Sequence, residues 1–164
     1  MITGSDAHQG LAGGFPLGKR FKSAEVIRLG DVTASFHPAG HILGSAQIRL
    51  EREGLRMVVS GDYKRASDPT CRPFELVPCD VFVTEATFGL PVFRHEPAGD
   101  EVGRLVQSIA RNPGRTHLLG VYGLGKCQRM IALLRQQGYD APVWLHGALV
   151  ALTELYRAFG QDLG

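Results

Sequence analysis

A chain of 164 residues that is 44% hydrophobic and 21% charged matches globular averages, which excludes intrinsic disorder and suits one domain able to bury roughly two-thirds of its unfolded surface. A net charge of +2 excludes coating of nucleic acid through an overall basic surface, so any such contact is expected at a local site. Cys71, Cys79 and Cys127 form no close pair, and no apolar run reaches the ~20 residues that cross a bilayer. The expectation is a soluble cytoplasmic protein with free thiols, no signal peptide and no membrane partner.

Residues 1–21 are Gly-rich and polar without a period, and are read as loop. Residues 32–36 make a short strand that ends in the loop His37-Pro38-Ala39-Gly40-His41. From 46 to 60 the period is two: Ala46, Ile48 and Leu50 alternate with Gln47, Arg49 and Glu51, then Glu53-Gly54 turns into Met57-Val58-Val59, which is a hairpin. Residues 67–78 hold three prolines and are expected on the surface. They lead to the buried-strand pattern Val81-Phe82-Val83-Thr84, which ends at Glu85.

The period then becomes helical. Val102, Leu105, Val106 and Ile109 share one face; Cys127, Met130, Ile131 and Leu134 a second; Leu149, Leu152, Tyr156 and Phe159 a third. Apolar runs at 117–121 and 142–145 read as strands between them. The expected class is α/β, a β-rich first part followed by alternating strands and helices, with parallel strands covered by helices.

His41, Asp62, Glu85 and His146 each follow a strand-like run, the position where open α/β sheets place their sites. Imidazole and carboxylate suit Zn or Mn, which make a bound water nucleophilic near neutral pH, although a residue of these types read singly is more often a surface or hydrogen-bonded group. Four segments occur in order: His37-Pro38-Ala39-Gly40-His41-Ile42-Leu43-Gly44-Ser45-Ala46, Val58-Val59-Ser60-Gly61-Asp62, Thr84-Glu85-Ala86-Thr87-Phe88-Gly89 and Leu145-His146-Gly147-Ala148. Together they resemble the β-CASP group of metallo-β-lactamase-fold nucleases, among them bacterial ligase-associated DNA exonucleases and messenger-RNA 3′-end processing-like factors.

The resemblance implies a partial metallo-β-lactamase-like segment at 1–90 and a partial β-CASP-like segment at 91–164. It also implies phosphodiester hydrolysis of DNA or RNA at a two-metal Zn or Mn site. His41 and Asp62 are then metal ligands, Asp62 as the bridging carboxylate. Glu85 supports the site by hydrogen bonding, and His146 contacts the scissile phosphate or protonates the leaving oxygen. His37 stands behind the ligands or merely holds its loop. Lys64 and Arg65 meet phosphates or form a solvated turn. The family's His-x-His-x-Asp-His segment does not occur in this sequence, and Asp6 and His8 are its nearest echo at the wrong spacing. The chain is therefore expected to be a fragment, a truncated product or a decayed paralogue with impaired catalysis. Self-association or a complementing segment is expected to cover its apolar surface.

Two other readings stand beside this one. A non-catalytic remnant would bind nucleic acid or a partner chain. A nucleotide-binding module would use Gly120-Val121-Tyr122-Gly123-Leu124-Gly125-Lys126, which fits the phosphate-loop pattern except that Cys127 stands where a magnesium-binding hydroxyl belongs. Gly123, Gly125 and Lys126 are accordingly candidates for a phosphate contact or a tight turn with a solvated Lys.

Overall fold

The computed structural model describes residues 25–164, which form two compact units, one ending at Thr87 and the other spanning Phe88–Gly164. The protein is mixed α/β. The first unit is a five-stranded sheet of β1 (Val26–Leu29), β2 (Val32–Pro38), β3 (Ala46–Arg52), β4 (Leu55–Val59) and β5 (Val81–Val83), in that spatial order. Pairings from β1 to β4 are antiparallel, and β5 joins β4 in parallel with Val58 opposite Phe82.

The β3–β4 hairpin follows from its local sequence. Period-two alternation gives each strand one inward face, and Glu53 (φ 51°) and Gly54 (φ 83°) both take the positive φ of a two-residue primed turn. Arg52 and Leu55 close the ladder. β2 runs two residues beyond its expected end, to Pro38, and a strand terminus is where the missing proline N–H is tolerated. β1 has no counterpart in the sequence reading: four residues are too few to establish a period. It exists because Gly30 (φ 64°) folds Leu29 back against Val32. β5 also differs from expectation, since Val81, Phe82 and Val83 are exposed rather than buried.

The second unit holds α1 (Ala98–Arg111), α2 (Lys126–Gln136) and α3 (Gly147–Ala158), with α2 in contact with both others. Each coincides with one apolar stripe, and Val102, Cys127, Ile131, Leu134 and Tyr156 are buried along them. Asp100 and Glu101 in the first turn of α1 and Arg111 in its last complement the helix dipole. α2 and α3 stop at Gly138 and Gly160, both left-handed. The Tyr139 amide returns to the Leu134 carbonyl and the Gln161 amide to that of Tyr156, which satisfies carbonyls the helices leave open.

Residues 117–121 and 142–145 correct the expected alternation: among the described residues of this unit no strand forms. Leu118 is 90% and Trp144 92% exposed. An apolar run becomes a strand only where a neighbouring backbone supplies hydrogen bonds, and periodicity does not report whether one is there. Among the described residues no helix is long and apolar enough to cross a membrane.

Candidate functional site

β2, β4 and β5 run in the same direction, because β3 is antiparallel to both β2 and β4 and β5 is parallel to β4. Their carboxyl ends therefore share one edge of the sheet. His41 follows β2, Asp62 follows β4 and Glu85 follows β5, so strand direction alone gathers three of the four expected polar residues.

The loop that presents His41 is fixed by its own backbone. The Ser45 hydroxyl accepts from the amides of His41 (3.1 Å) and Ile42 (3.2 Å), and the Ala39 amide donates to the Ser45 carbonyl at 3.2 Å. Gly40 (φ 71°) and Gly44 (φ 82°) make the left-handed turns that the loop needs. A Cβ on Gly40 would overlap the Lys64 carbonyl oxygen and come within 2.8 Å of the Phe74 amide nitrogen. The loop is thus wedged between the turn after β4 and the segment near Phe74. The Lys64 amide donates to the Ala39 carbonyl at 3.0 Å, tying the turn that carries Asp62 to the loop that carries His41.

The outcome is an imidazole beside a carboxylate, with His41 Nε2 3.9 Å from Asp62 Oδ2. That separation exceeds hydrogen-bond length, so neither group saturates the other. Both reach solvent, where an ion pair alone contributes little. Glu85 accepts from the Thr87 amide at 2.7 Å. Its carboxyl is held below its usual range first by that amide, then by the Thr87 hydroxyl, with a smaller contribution from His41. His41 and Asp62 are donors of the kinds Zn and Mn take, yet a catalytic zinc ordinarily has three protein ligands. Among the described residues no group of three His, Cys, Asp or Glu side chains converges. The described residues therefore do not complete a metal centre, and Asp6 and His8 lie outside them.

Lys64 and Arg65 part company. The Lys64 ammonium pairs with the buried Asp68 carboxylate, while Arg65 is exposed. Burial raises the Asp68 pKa, but hydrogen bonds from the Lys64 ammonium and the Thr70 hydroxyl and amide outweigh it and hold the carboxyl below its ordinary value. His37 is buried, with Nδ1 2.8 Å from Glu75 Oε1 and Nε2 2.9 Å from Ser35 Oγ. Sequence reasoning missed Glu75, Ser35 and Gln47. For Ser35 and Gln47 the available signal was a polar residue at an inward position of a period-two strand; Glu75 lies on a connecting segment that carries no such signal.

In the second unit, His146 is the N-cap of α3, its Nδ1 accepting from the Ala148 amide at 3.2 Å. That bond leaves the proton on Nε2, which points the ring's donor away from the helix. In the Gly-rich loop before α2, the amides that a phosphate would need are already paired: Gly125 to Gln128 Oε1 (2.8 Å), Lys126 to the Leu124 carbonyl and Cys127 to the Tyr122 carbonyl. Gly123 is small because a Cβ there would meet Leu149 at 3.1 Å, and the Lys126 ammonium lies 5.8 Å from the Tyr122 ring centroid. This geometry is that of a capped, packed turn.

No family model matches the chain. It is 31% identical over 134 residues to a probable DNA ligase of Opitutus terrae, covering 79% of this chain and 13% of that protein. It is 36% identical over 104 residues to the endoribonuclease YSH1 of Candida glabrata, covering 61% of this chain and 13% of that protein. The chain is a homologue of the metallo-β-lactamase/β-CASP family. This β-CASP homologue spans about an eighth of the length of those two relatives. It also shares a fold, at a TM-score of 0.53 and 15% identity over 85% of this chain and 35% of the other, with a protein of unknown function from Enterococcus faecalis.

Proposed function

We propose that this β-CASP homologue supplies part of a metal-dependent site for phosphodiester hydrolysis of nucleic acid, 1–90 being a partial metallo-β-lactamase-like segment and 91–164 a partial β-CASP-like one. The observation that supports it best is the meeting of His41 and Asp62 at 3.9 Å on the carboxyl edge of the sheet. In this reading His41 and Asp62 are the donors the chain offers to a divalent Zn or Mn ion. Glu85 biases the edge toward cation binding through its charge. His146 donates from Nε2–H to a phosphate oxygen, because its Nδ1 is occupied by the Ala148 amide. Arg65 and Lys126 contact phosphates of the strand. Lys64, engaged by Asp68, acts on the turn rather than on the substrate.

Among the described residues two donors meet, short of the three that a catalytic zinc takes. The polypeptide is therefore expected to bind divalent metal weakly, to bind nucleic acid, and to cleave it slowly or not at all. Calorimetric titration with Mn²⁺ or Zn²⁺, comparing the chain with His41→Ala and Asp62→Ala, tests the donors, and both variants should lose binding. Cleavage is assayed on single- and double-stranded DNA and RNA beside Asp62→Ala and His146→Ala. Metal affinity untouched by both donor substitutions would refute the site. Metal-dependent cleavage that Asp62→Ala and His146→Ala abolish would refute the impairment and direct attention to Asp6 and His8.

A further inference from the structure

The strongest buried polar cluster outside the His41–Asp62 pair stands directly behind it. Ser35 and His37 are two apart on β2 and so lie on one face, and Gln47 is the cross-strand partner of His37 on β3. All three are buried, a costly placement for polar side chains unless each is hydrogen-bonded. His37 and Gln47 both find a partner at Glu75, and Ser35 is linked to it through His37. His37 Nδ1 meets Glu75 Oε1 at 2.8 Å, and Gln47 Nε2 donates to the Glu75 carbonyl at 2.6 Å and to the Pro38 carbonyl at 3.0 Å. The Glu75 amide donates to that same Pro38 carbonyl at 3.0 Å.

A carboxylate only accepts, so His37 donates to Glu75 from Nδ1–H, and in the neutral ring Nε2 accepts from the Ser35 hydroxyl. A hydrogen-bonded chain therefore runs from Ser35 through His37 to Glu75. Its far end is the segment whose neighbouring residue, Phe74, abuts Gly40, while the Lys64 amide grips Ala39 from the other side. The carbonyls of Pro38 and Ala39 and the amides of Ala39, His41 and Ile42 are all engaged. Little backbone freedom is left at His41.

We infer that Ser35, His37, Gln47 and Glu75 form a positioning relay that fixes the His41 loop against the Asp62 turn, so that the imidazole and the carboxylate are held at their spacing before any ligand arrives. Ion binding at that edge rests on the proposed function; the fixing of the loop does not. The relay touches no substrate and acts through the backbone of residues 38–41. It makes Glu75, a residue remote in sequence from both donors, a determinant of their geometry.

Amide hydrogen exchange on the metal-free full chain tests the relay. Glu75→Ala should speed exchange at His41 and Ile42 at least tenfold while leaving the Ile48 and Val58 amides of the hairpin near wild-type rates. Glu75→Gln, whose amide oxygen still accepts from Nδ1–H, should restore most of the protection, and Ser35→Ala should give an intermediate change. Mn²⁺ titration of the same proteins should show about a 10–100-fold loss of affinity in Glu75→Ala, the scale on which outer partners of metal ligands act. Unchanged exchange at His41 and Ile42 in Glu75→Ala overturns the relay. So does a rise shared equally by every sheet amide, which would mark a general loss of stability. A wild-type chain that binds no Mn²⁺ defeats the proposed function, while the exchange comparison still decides the relay.

Discussion

Replacing Gly40 by alanine separates two costs that usually arrive together. Gly40 has φ 71° and Gly30 has φ 64°, so an alanine at either position sits in the left-handed region, at roughly 1–2 kcal/mol. Both substitutions also stiffen the unfolded chain, a gain of roughly 0.4–1 kcal/mol common to the two. They differ in surroundings. Nothing lies within 4 Å of a Cβ at Gly30, whereas at Gly40 the new carbon overlaps the Lys64 carbonyl oxygen and stands 2.8 Å from the Phe74 amide nitrogen. Both obstacles are backbone, and shifts forced by overpacking cost about 1–3 kcal/mol. Gly40→Ala should therefore be less stable than Gly30→Ala by about 1–3 kcal/mol on those same grounds. Urea unfolding followed at the β2–β3 amide resonances reads this directly. Trp144, in the other unit and almost fully exposed, is a poor reporter of it. Equal midpoints for the two variants would show that the loop is not wedged, and would remove the rigid frame on which the His41–Asp62 spacing depends.

Two more outcomes follow from buried polar groups. Because the Asp68 carboxyl has its folded pKa below the unfolded value of ~3.9, it stabilises the fold fully above that pH, and the contribution is lost as pH falls through the folded value. The stability difference between the wild type and Asp68→Asn should thus be largest near pH 7 and shrink on acidification toward pH 3; a constant difference would refute the assignment. Gln128 is 0% exposed, accepts from the Gly125 amide and donates to the Gly123 carbonyl and the Thr153 hydroxyl. Gln128→Leu strands buried groups at roughly 1–3 kcal/mol for an unsatisfied one. It should visibly lower the melting midpoint of the helical signal at 222 nm, to which the second unit contributes all three of the described helices; an unchanged midpoint would mean the cap is dispensable.

The parts of the fold written in short-range pattern were legible. A period of two with Glu53-Gly54 specifies the β3–β4 hairpin, and three apolar stripes specify three helices, because each signal lies inside the element it predicts. What local pattern does not carry is a residue's neighbours. Residues 117–121 and 142–145 carry strand composition, but a strand is a relation between two backbones. Lys64 reads equally as a phosphate contact or part of a solvated turn, and the sequence does not show that Asp68, four residues on, pairs with it. The Gly-rich loop fits a phosphate-binding pattern by residue type, yet Gln128 supplies the acceptor for Gly125 from within. His37, Gln47 and Glu75 meet across separations of 28 and 38 residues, which no local window spans.

The wording of the segment around His41 encodes backbone geometry more than chemistry. In the segment 38–45, His41 alone offers an imidazole to the shared edge. Pro38 contributes a carbonyl that accepts from two donors, Ala39 leaves no room for a larger side chain, Gly40 and Gly44 supply positive φ, and Ser45 takes up two amides. A loop so constrained has few sequences that satisfy it, so resemblance over these residues is chiefly resemblance of shape. Function is then a separate demand on the same shape: the frame can persist while ligands supplied from elsewhere change. For that reason metal affinity and loop rigidity must be measured as two quantities in this chain, since the second can be intact where the first is weak.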